Sequence, residues 1–203
     1  MRRLHDRYFK QAKREGQLAR SYYKLAEIDQ RFRIFRPGQR VLDLGAAPGA
    51  WTEYALSRIL PRGAICAVDI KPLHPRLAGR VAFWQGDVAA FPAGVFSEAA
   101  DVFEVVLSDM APATSGIKTV DQARSLELAE IAAQIAAARL APAGHFVCKI
   151  FEGPRLAQLR QRLRAAFAAV KVFKPEASRA ESMETYLICL VRRQSPGSVC
   201  EKA

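Results

Sequence analysis

From residue 40 onward the chain alternates short apolar runs with longer stretches whose apolar positions recur at helical spacing. Runs near 40–45, 64–69, 80–84, 103–108, 144–150, 168–173 and 184–192 read as strands. Between them, the patterns near 50–60, 118–141 and 154–167 read as helices, and residues 20–33 form a further one, carried by Tyr23, Ala26, Glu27 and Gln30 without a breaker. Strands in regular alternation with helices predict an α/β fold: a mostly parallel seven-stranded sheet with helices on both faces. The third strand runs into QGDVAAFPAGVFSEAA, a turn-rich stretch in which a short helix is expected. The last ten residues, 194–203, show no apolar period and are expected to fray.

At 203 residues, half of them hydrophobic, the chain is sized for one domain with a substantial core. It divides into a basic amino-terminal segment at 1–40, a core at 41–193 and a tail at 194–203. No run of 18 apolar residues suggests a membrane span, and MRRLHDRYFK lacks the apolar block of a signal peptide, so a soluble protein is expected. Asp6 and Glu15 interrupt the arginines that would otherwise suggest an organelle transit peptide. Cys66, Cys148, Cys189 and Cys200 form no CxxC pair and the first three lie in apolar runs, which points to reduced core cysteines and a cytoplasmic setting. His5, His74 and His145 stand singly, so no metal is expected.

Charge sharpens the picture of the partner. Residues 1–40 hold 12 Lys and Arg against 4 Asp and Glu, a difference of +8 within a total of +11. Tyr8, Phe9, Tyr22, Tyr23, Phe32 and Phe35 are threaded through this segment. Such a stretch can neutralise phosphates and offer ring faces to bases or sugars; equally, the rings can plug into the core. The charge asymmetry favours a polyanion.

Residues 41–49, VLDLGAAPG, are an apolar strand ending in an acid and a loop of small residues, placed where open α/β sheets bind ligands. The spacing is not GxGxxG, and Pro48 removes an N–H that a pyrophosphate cradle would use, which argues against a dinucleotide oxidoreductase. Gly45 and Gly49 allow close backbone approach. Asp43 can meet a positive charge, Asp69 closes the second strand where an acid accepts from a ribose diol, and Asp87 follows the third in reach of an adenine amino group. Three acids at successive strand ends beside a glycine loop read as a nucleoside-cofactor site.

The fourth strand ends in VVLSDMAP and places Asp109 at the same edge. The fifth, HFVCKIF, carries Lys149 among apolar neighbours, where an ammonium needs an acid. Asp109 supplies one, and Glu184 enters with ESMETYLICL. Lys24 stands in ARSYYKL on the predicted helix 20–33.

Taken in order, ARSYYKLAEID, VLDLGAAPGAW, LSDMAP with TSG, FVCKIFEG and KPEASRAESMETY resemble the FtsJ-type (RlmE-like) ribosomal RNA ribose 2'-O-methyltransferases, over about residues 5–192. The resemblance implies a single Rossmann-like methyltransferase domain, S-adenosylmethionine as cofactor, and large-subunit ribosomal RNA, at a uridine ribose, as substrate for a monomeric enzyme. It implies a catalytic tetrad of Lys24, Asp109, Lys149 and Glu184, and cofactor contacts at Gly49, Trp51, Asp69, Asp87 and Asp109. One departure is Ala50, where the family usually has a second glycine.

The residue types suit the reaction. Methyl transfer from a sulfonium needs no metal, so the site must chiefly align acceptor oxygen and methyl carbon. Lys149 can take the hydroxyl proton as a base, or the charged lysines can stabilise the developing negative oxygen. Both roles stay open, as do two other functions: 2'-O-methylation of transfer RNA or another RNA, and a non-catalytic RNA-binding assembly factor.

Overall fold

The computed structural model describes residues 2–92, 94, 102–179 and 181–194, with side chains from residue 7 onward. A seven-stranded sheet runs through it. In chain order the elements are α1 (Arg2–Arg14), α2 (Ser21–Phe32), β1 (Arg40–Leu44), α3 (Ala50–Ile59), β2 (Ala64–Asp69), β3 (Ala82–Gln85), β4 (Phe103–Ser108), α4 (Lys118–Arg139), β5 (Leu140–Phe151), α5 (Leu156–Ala166), β6 (Phe167–Phe173) and β7 (Glu184–Arg192), with 3-10 turns at Pro75–Leu77 and Val88–Ala90. The spatial order is β3-β2-β1-β4-β5-β7-β6. All neighbours are parallel except at β7, which runs antiparallel to both β5 and β6.

Side-chain alternation divides the core between the two faces. Leu42, Leu44, Val106, Phe146 and Cys148 turn toward α4 and α5, whereas Val41, Val105, Leu107, Val147 and Tyr186 turn toward α2 and α3. Because β1 leads to β2 on one side and pairs with β4 on the other, the strand order reverses at β1/β4 and the loops after these strands diverge. Leu25 and Ile28 of α2 are fully buried in the same cluster as Val41, so the basic segment and the sheet share one core.

The structure differs from the expected elements in three places. The third strand lies at Ala82–Gln85, a little later than 80–84. β5 begins at Leu140, which pairs with Phe103 before an irregularity in register; Ala143, at positive φ, lies in this stretch, which reads from sequence as helix end and loop. The helix α1 has a stripe at four-residue spacing in its sequence, Leu4, Tyr8 and Ala12, but dense charge obscures it; Ala12 is buried. The short helix expected after β3 appears as the turn Val88–Ala90, the rest of that stretch falling largely outside the described residues, as do Cys200 and the tail beyond Gln194. Cys66, Cys148 and Cys189 are buried, and none of the three is in a disulfide. No helix among the described residues is long and apolar enough to cross a membrane, and no group of His, Cys, Asp and Glu among them is arranged to hold a metal.

Candidate active site

A cleft of about 300 Å³ opens at the carboxyl edge of the sheet, lined by Gly45, Ala47, Asp69, Asp87, Asp109 and Met110, with Ile70, Leu128 and Ile131 adding apolar wall. Gly45 has φ +75°, and a side chain there would strike Met110; the loops after β1 and β4 can close on each other only because it is glycine. Gly49 has φ +113° and caps α3, but Leu77 already fills the space its side chain would need. Packing therefore demands that glycine whether or not a ligand does. Ala50 follows as the first helical residue, buried and in ordinary helical backbone, so the departure from a second glycine is absorbed by the helix start.

The acids hold this edge together and face the cleft. Asp69 accepts the N–H of Ala47 through Oδ2 and that of Lys71 through Oδ1, both at 2.8 Å, fastening the loop after β1 to the end of β2. Asp87 caps the Val88–Ala90 turn, accepting from Ala89 at 2.9 Å. Asp43 is fully buried below Gly45; its Oδ2 accepts from Thr52 Oγ1 at 2.6 Å while Oδ1 has no protein partner. Burial, reinforced by the nearby Asp109 and Asp69 and partly countered by Thr52, pushes the Asp43 carboxyl up to about 7. An orphaned acid under a cleft lined by three more acids suits a cationic ligand, and it suits a phosphate poorly. Trp51 is placed differently from a ligand contact: its ring lies in the core, 5.6 Å between centroids from Tyr186, and its Nε1 donates to the Ser21 carbonyl at 2.9 Å. Only its backbone is available to a cofactor.

Beside the cleft the four residues of the expected tetrad come together. Ser108 pairs with Cys148 in register, so the next residues, Asp109 and Lys149, stand side by side. Lys149 Nζ meets Asp109 Oδ1 at 3.1 Å and the Asp109 carbonyl at 2.5 Å. Across the antiparallel pair Lys149 faces Tyr186, and Glu184 lies two residues further along the same face of β7. Lys24 reaches in from the first turn of α2 to Glu184 Oε1 at 2.6 Å. Both lysines are buried.

Two participants escape a sequence reading. The hydroxyl of Tyr186 lies 2.9 Å from Asp109 Oδ1 and 3.1 Å from Glu184 Oε1, bridging the two ion pairs. Burial and these two carboxylates push its pKa well above the ordinary value, so it stays a proton donor. Ser178, also buried, donates to Glu184 at 2.8 Å. Burial alone would raise the Glu184 carboxyl, but Lys24, Lys149 and the Ser178 hydroxyl hold it below its usual range. The signal for Tyr186 was its spacing of two from Glu184, which puts both on one face of a strand.

Known proteins resemble this chain over most of its length. The family model described as FtsJ-like methyltransferase matches residues 18–192. A ribosomal RNA large subunit methyltransferase E from Nitratidesulfovibrio vulgaris is 48% identical over 194 residues, covering 94% of each chain. Its counterpart from Syntrophobacter fumaroxidans is 47% identical over 193 residues, covering 95% of this chain and 98% of that one. Among solved structures, a ribosomal RNA methyltransferase from Plasmodium falciparum superposes with TM-score 0.76 over 87% of this chain and 99% of that one; at 24% identity this likeness speaks to the fold.

Proposed function

Because the chain belongs to the FtsJ-like methyltransferase family, we propose that it transfers a methyl group from S-adenosylmethionine to a ribose 2'-hydroxyl, that of a uridine, in large-subunit ribosomal RNA, and so aids ribosome assembly in the cytoplasm. The observation that carries this reading is the joined set Lys24–Glu184–Tyr186–Asp109–Lys149 beside an acidic cleft. Relatives named for large-subunit ribosomal RNA, matched over nearly their full length, favour that substrate over transfer RNA. An intact tetrad weighs against a non-catalytic assembly factor.

The residues of the cleft fit the cofactor. Asp69 and Asp87 would take the ribose diol and the adenine amino group, Ile70, Leu128 and Ile131 the adenine face, and Asp43 with Asp109 the cationic amino-acid end; Gly45 and Gly49 shape the loop, and Trp51 contributes only backbone. When bound, the cofactor supplies an electrophilic methyl on a sulfonium. The protein's part begins with the nitrogen of Lys149: Asp109 occupies two of its three free tetrahedral positions, leaving one for the ribose hydroxyl. As a lone pair that position would take the hydroxyl proton as the oxygen displaces sulfur from the methyl carbon, the carbon–sulfur bond breaking to leave a neutral thioether; as an N–H it would steady the developing charge. Lys24, paired with Glu184, adds a second positive group next to the acceptor oxygen, and Tyr186 keeps the two carboxylates from drifting apart.

Mapping 2'-O-methyl sites in ribosomal RNA from cells with and without the gene tests the whole reading. A methylated ribose lost from large-subunit RNA and restored by labelled cofactor with purified enzyme is expected; loss confined to transfer RNA would redirect it. Asp69→Ala and Asp87→Ala should each weaken cofactor binding by roughly ten- to a hundredfold in calorimetry, the worth of a hydrogen bond to a charged group, and affinity unchanged from the unaltered protein in both folded variants would remove these acids from the site.

RNA capture is expected to fall to the basic segment. Arg7, Lys10, Lys13 and Arg14 are all exposed on α1, and Phe9 beside them is 62% exposed. The other rings divide: Phe35 is buried, and Tyr8, Tyr23, Tyr22 and Tyr54 form a run of edge and tilted contacts leading inward to it. Neutralising these four cations together should flatten the fall of RNA affinity with salt by about 0.7 to 0.9 in log-log slope for each phosphate no longer neutralised. An unaltered slope would show that α1 does not grip phosphate.

A further inference from the structure

Glu27 sits one helical turn after Lys24 on α2, and its carboxylate reaches off the helix. Oε2 accepts the backbone N–H of Glu176 at 2.6 Å and Oε1 that of Ala177 at 3.0 Å, while the Tyr8 hydroxyl of α1 hydrogen-bonds to the same group. These two N–H groups belong to the connection between β6 and β7, and the next residue along it is Ser178. Ser178 donates to Glu184 Oε1 at 2.8 Å, the same oxygen that Lys24 meets at 2.6 Å. The contacts close on themselves: Glu27 to Ala177, Ser178 to Glu184, Glu184 to Lys24, and one turn of α2 back to Glu27.

Such a ring constrains an ion pair more tightly than the pair constrains itself. Lysine has four rotatable bonds and its ammonium tolerates many orientations, so a Lys–Glu contact alone fixes distance and little else. Here the helix bearing the lysine is fastened, through two N–H groups in a fork, to the chain segment that aims the glutamate. Lys174, which donates to the Ser182 carbonyl at 2.6 Å, and Ser182 Oγ, which accepts from the Glu184 N–H at 3.1 Å, brace the rest of that segment. With Tyr8 on the same carboxylate, the clasp also joins the basic helix α1 to the catalytic pair.

We propose that Glu27 is a positioning residue for methyl transfer: by clasping the Glu176 and Ala177 amides it sets Lys24 and Glu184 at the acceptor oxygen. This rests on the methyltransferase reading above. A misplacement of this kind costs rate without removing any reacting group.

The test is single-turnover methyl transfer to large-subunit RNA at saturating cofactor, together with amide hydrogen exchange at Ala177. Glu27→Ala should speed exchange at Ala177 and lower the rate constant by on the order of tenfold or more, with cofactor affinity and the RNA concentration for half-maximal rate within about twofold of the unaltered enzyme, as expected of groups that touch neither ligand. Glu27→Gln, which keeps one acceptor oxygen, should recover part of the rate. The Glu27→Ala, Ser178→Ala double variant should be no slower than the slower single variant, because both cut the same ring. A normal rate in Glu27→Ala once Ala177 protection is gone, no difference in Ala177 exchange between the two proteins, or additive losses with Ser178→Ala would each overturn the positioning role alone. Absence of transfer by the unaltered enzyme on every RNA overturns the proposed function first and this role with it.

Discussion

Lys149→Ala is expected to lower methyl transfer by on the order of a hundred- to ten-thousandfold while leaving cofactor affinity near that of the unaltered enzyme. Lys149 is 7% exposed, near the carboxyl end of β5 with buried apolar neighbours, and spends two contacts on Asp109 alone. Burying a lysine costs free energy that this pair only partly returns, so a purely structural role would be better filled by a hydrocarbon. Fold survives the change because Asp109 keeps the Tyr186 hydroxyl at 2.9 Å and remains partly open to water. Lys149→Met, which keeps the stem, separates packing from chemistry and should be as inactive as Lys149→Ala. Lys24→Ala should slow transfer less, since its ammonium acts beside the acceptor without contacting Asp109, whereas Asp109→Ala should weaken cofactor binding as well because that residue also lines the cleft. Single-turnover transfer at saturating cofactor reads these effects apart. Undiminished transfer by Lys149→Ala at every pH would pass the proton to Asp109 or to water.

The arrangement behind that prediction was partly written in the chain. Strands buried on both faces appear as apolar runs, which is why β1, β2, β4 and β7 fall within a residue or two of their expected limits; the edge strand β6, with Ala168, Lys171 and Val172 exposed, is read from its apolar Phe and Val positions. A lysine inside a run buried on both faces is conspicuous for the same reason. Strand order is not a local property: nothing near residue 184 says that β7 inserts between β5 and β6, and without that insertion Tyr186 reads as one more aromatic in an apolar strand. Its hydroxyl gains meaning only from the register that sets it opposite Lys149. Trp51 shows the converse, a residue whose place in a shared motif suggests a ligand contact and whose ring serves the core. Glu27 looked like an ordinary helix residue, since its partners are backbone amides 149 and 150 residues away.

Cofactor affinity should depend on pH through Asp43. Its carboxyl is raised from 3.8 to about 7, chiefly by burial and further by Asp109 and Asp69. For an acid with a raised pKa the folded, ligand-free protein holds a proton that the unfolded chain releases, so stability is fullest below about pH 4, declines between 4 and 7, and levels off above. A rise of that size amounts to about 4 kcal/mol of stability lost across this window. A positive group settling against the unpartnered Oδ1 reverses the balance, because it favours the ionised form. Binding then releases a proton below pH 7, and affinity should rise roughly fiftyfold from pH 5 to pH 7. Calorimetry in buffers of differing ionisation enthalpy measures that proton directly. Asp43→Asn keeps the shape and an acceptor for Thr52 but cannot ionise. This variant should therefore be more stable than the unaltered protein without ligand above pH 7, bind the cofactor more weakly there, and release no proton. If Asp43→Asn shows the same rise of affinity with pH, Asp43 is not the group that titrates on binding, and the buried acid serves only to anchor Thr52 of α3.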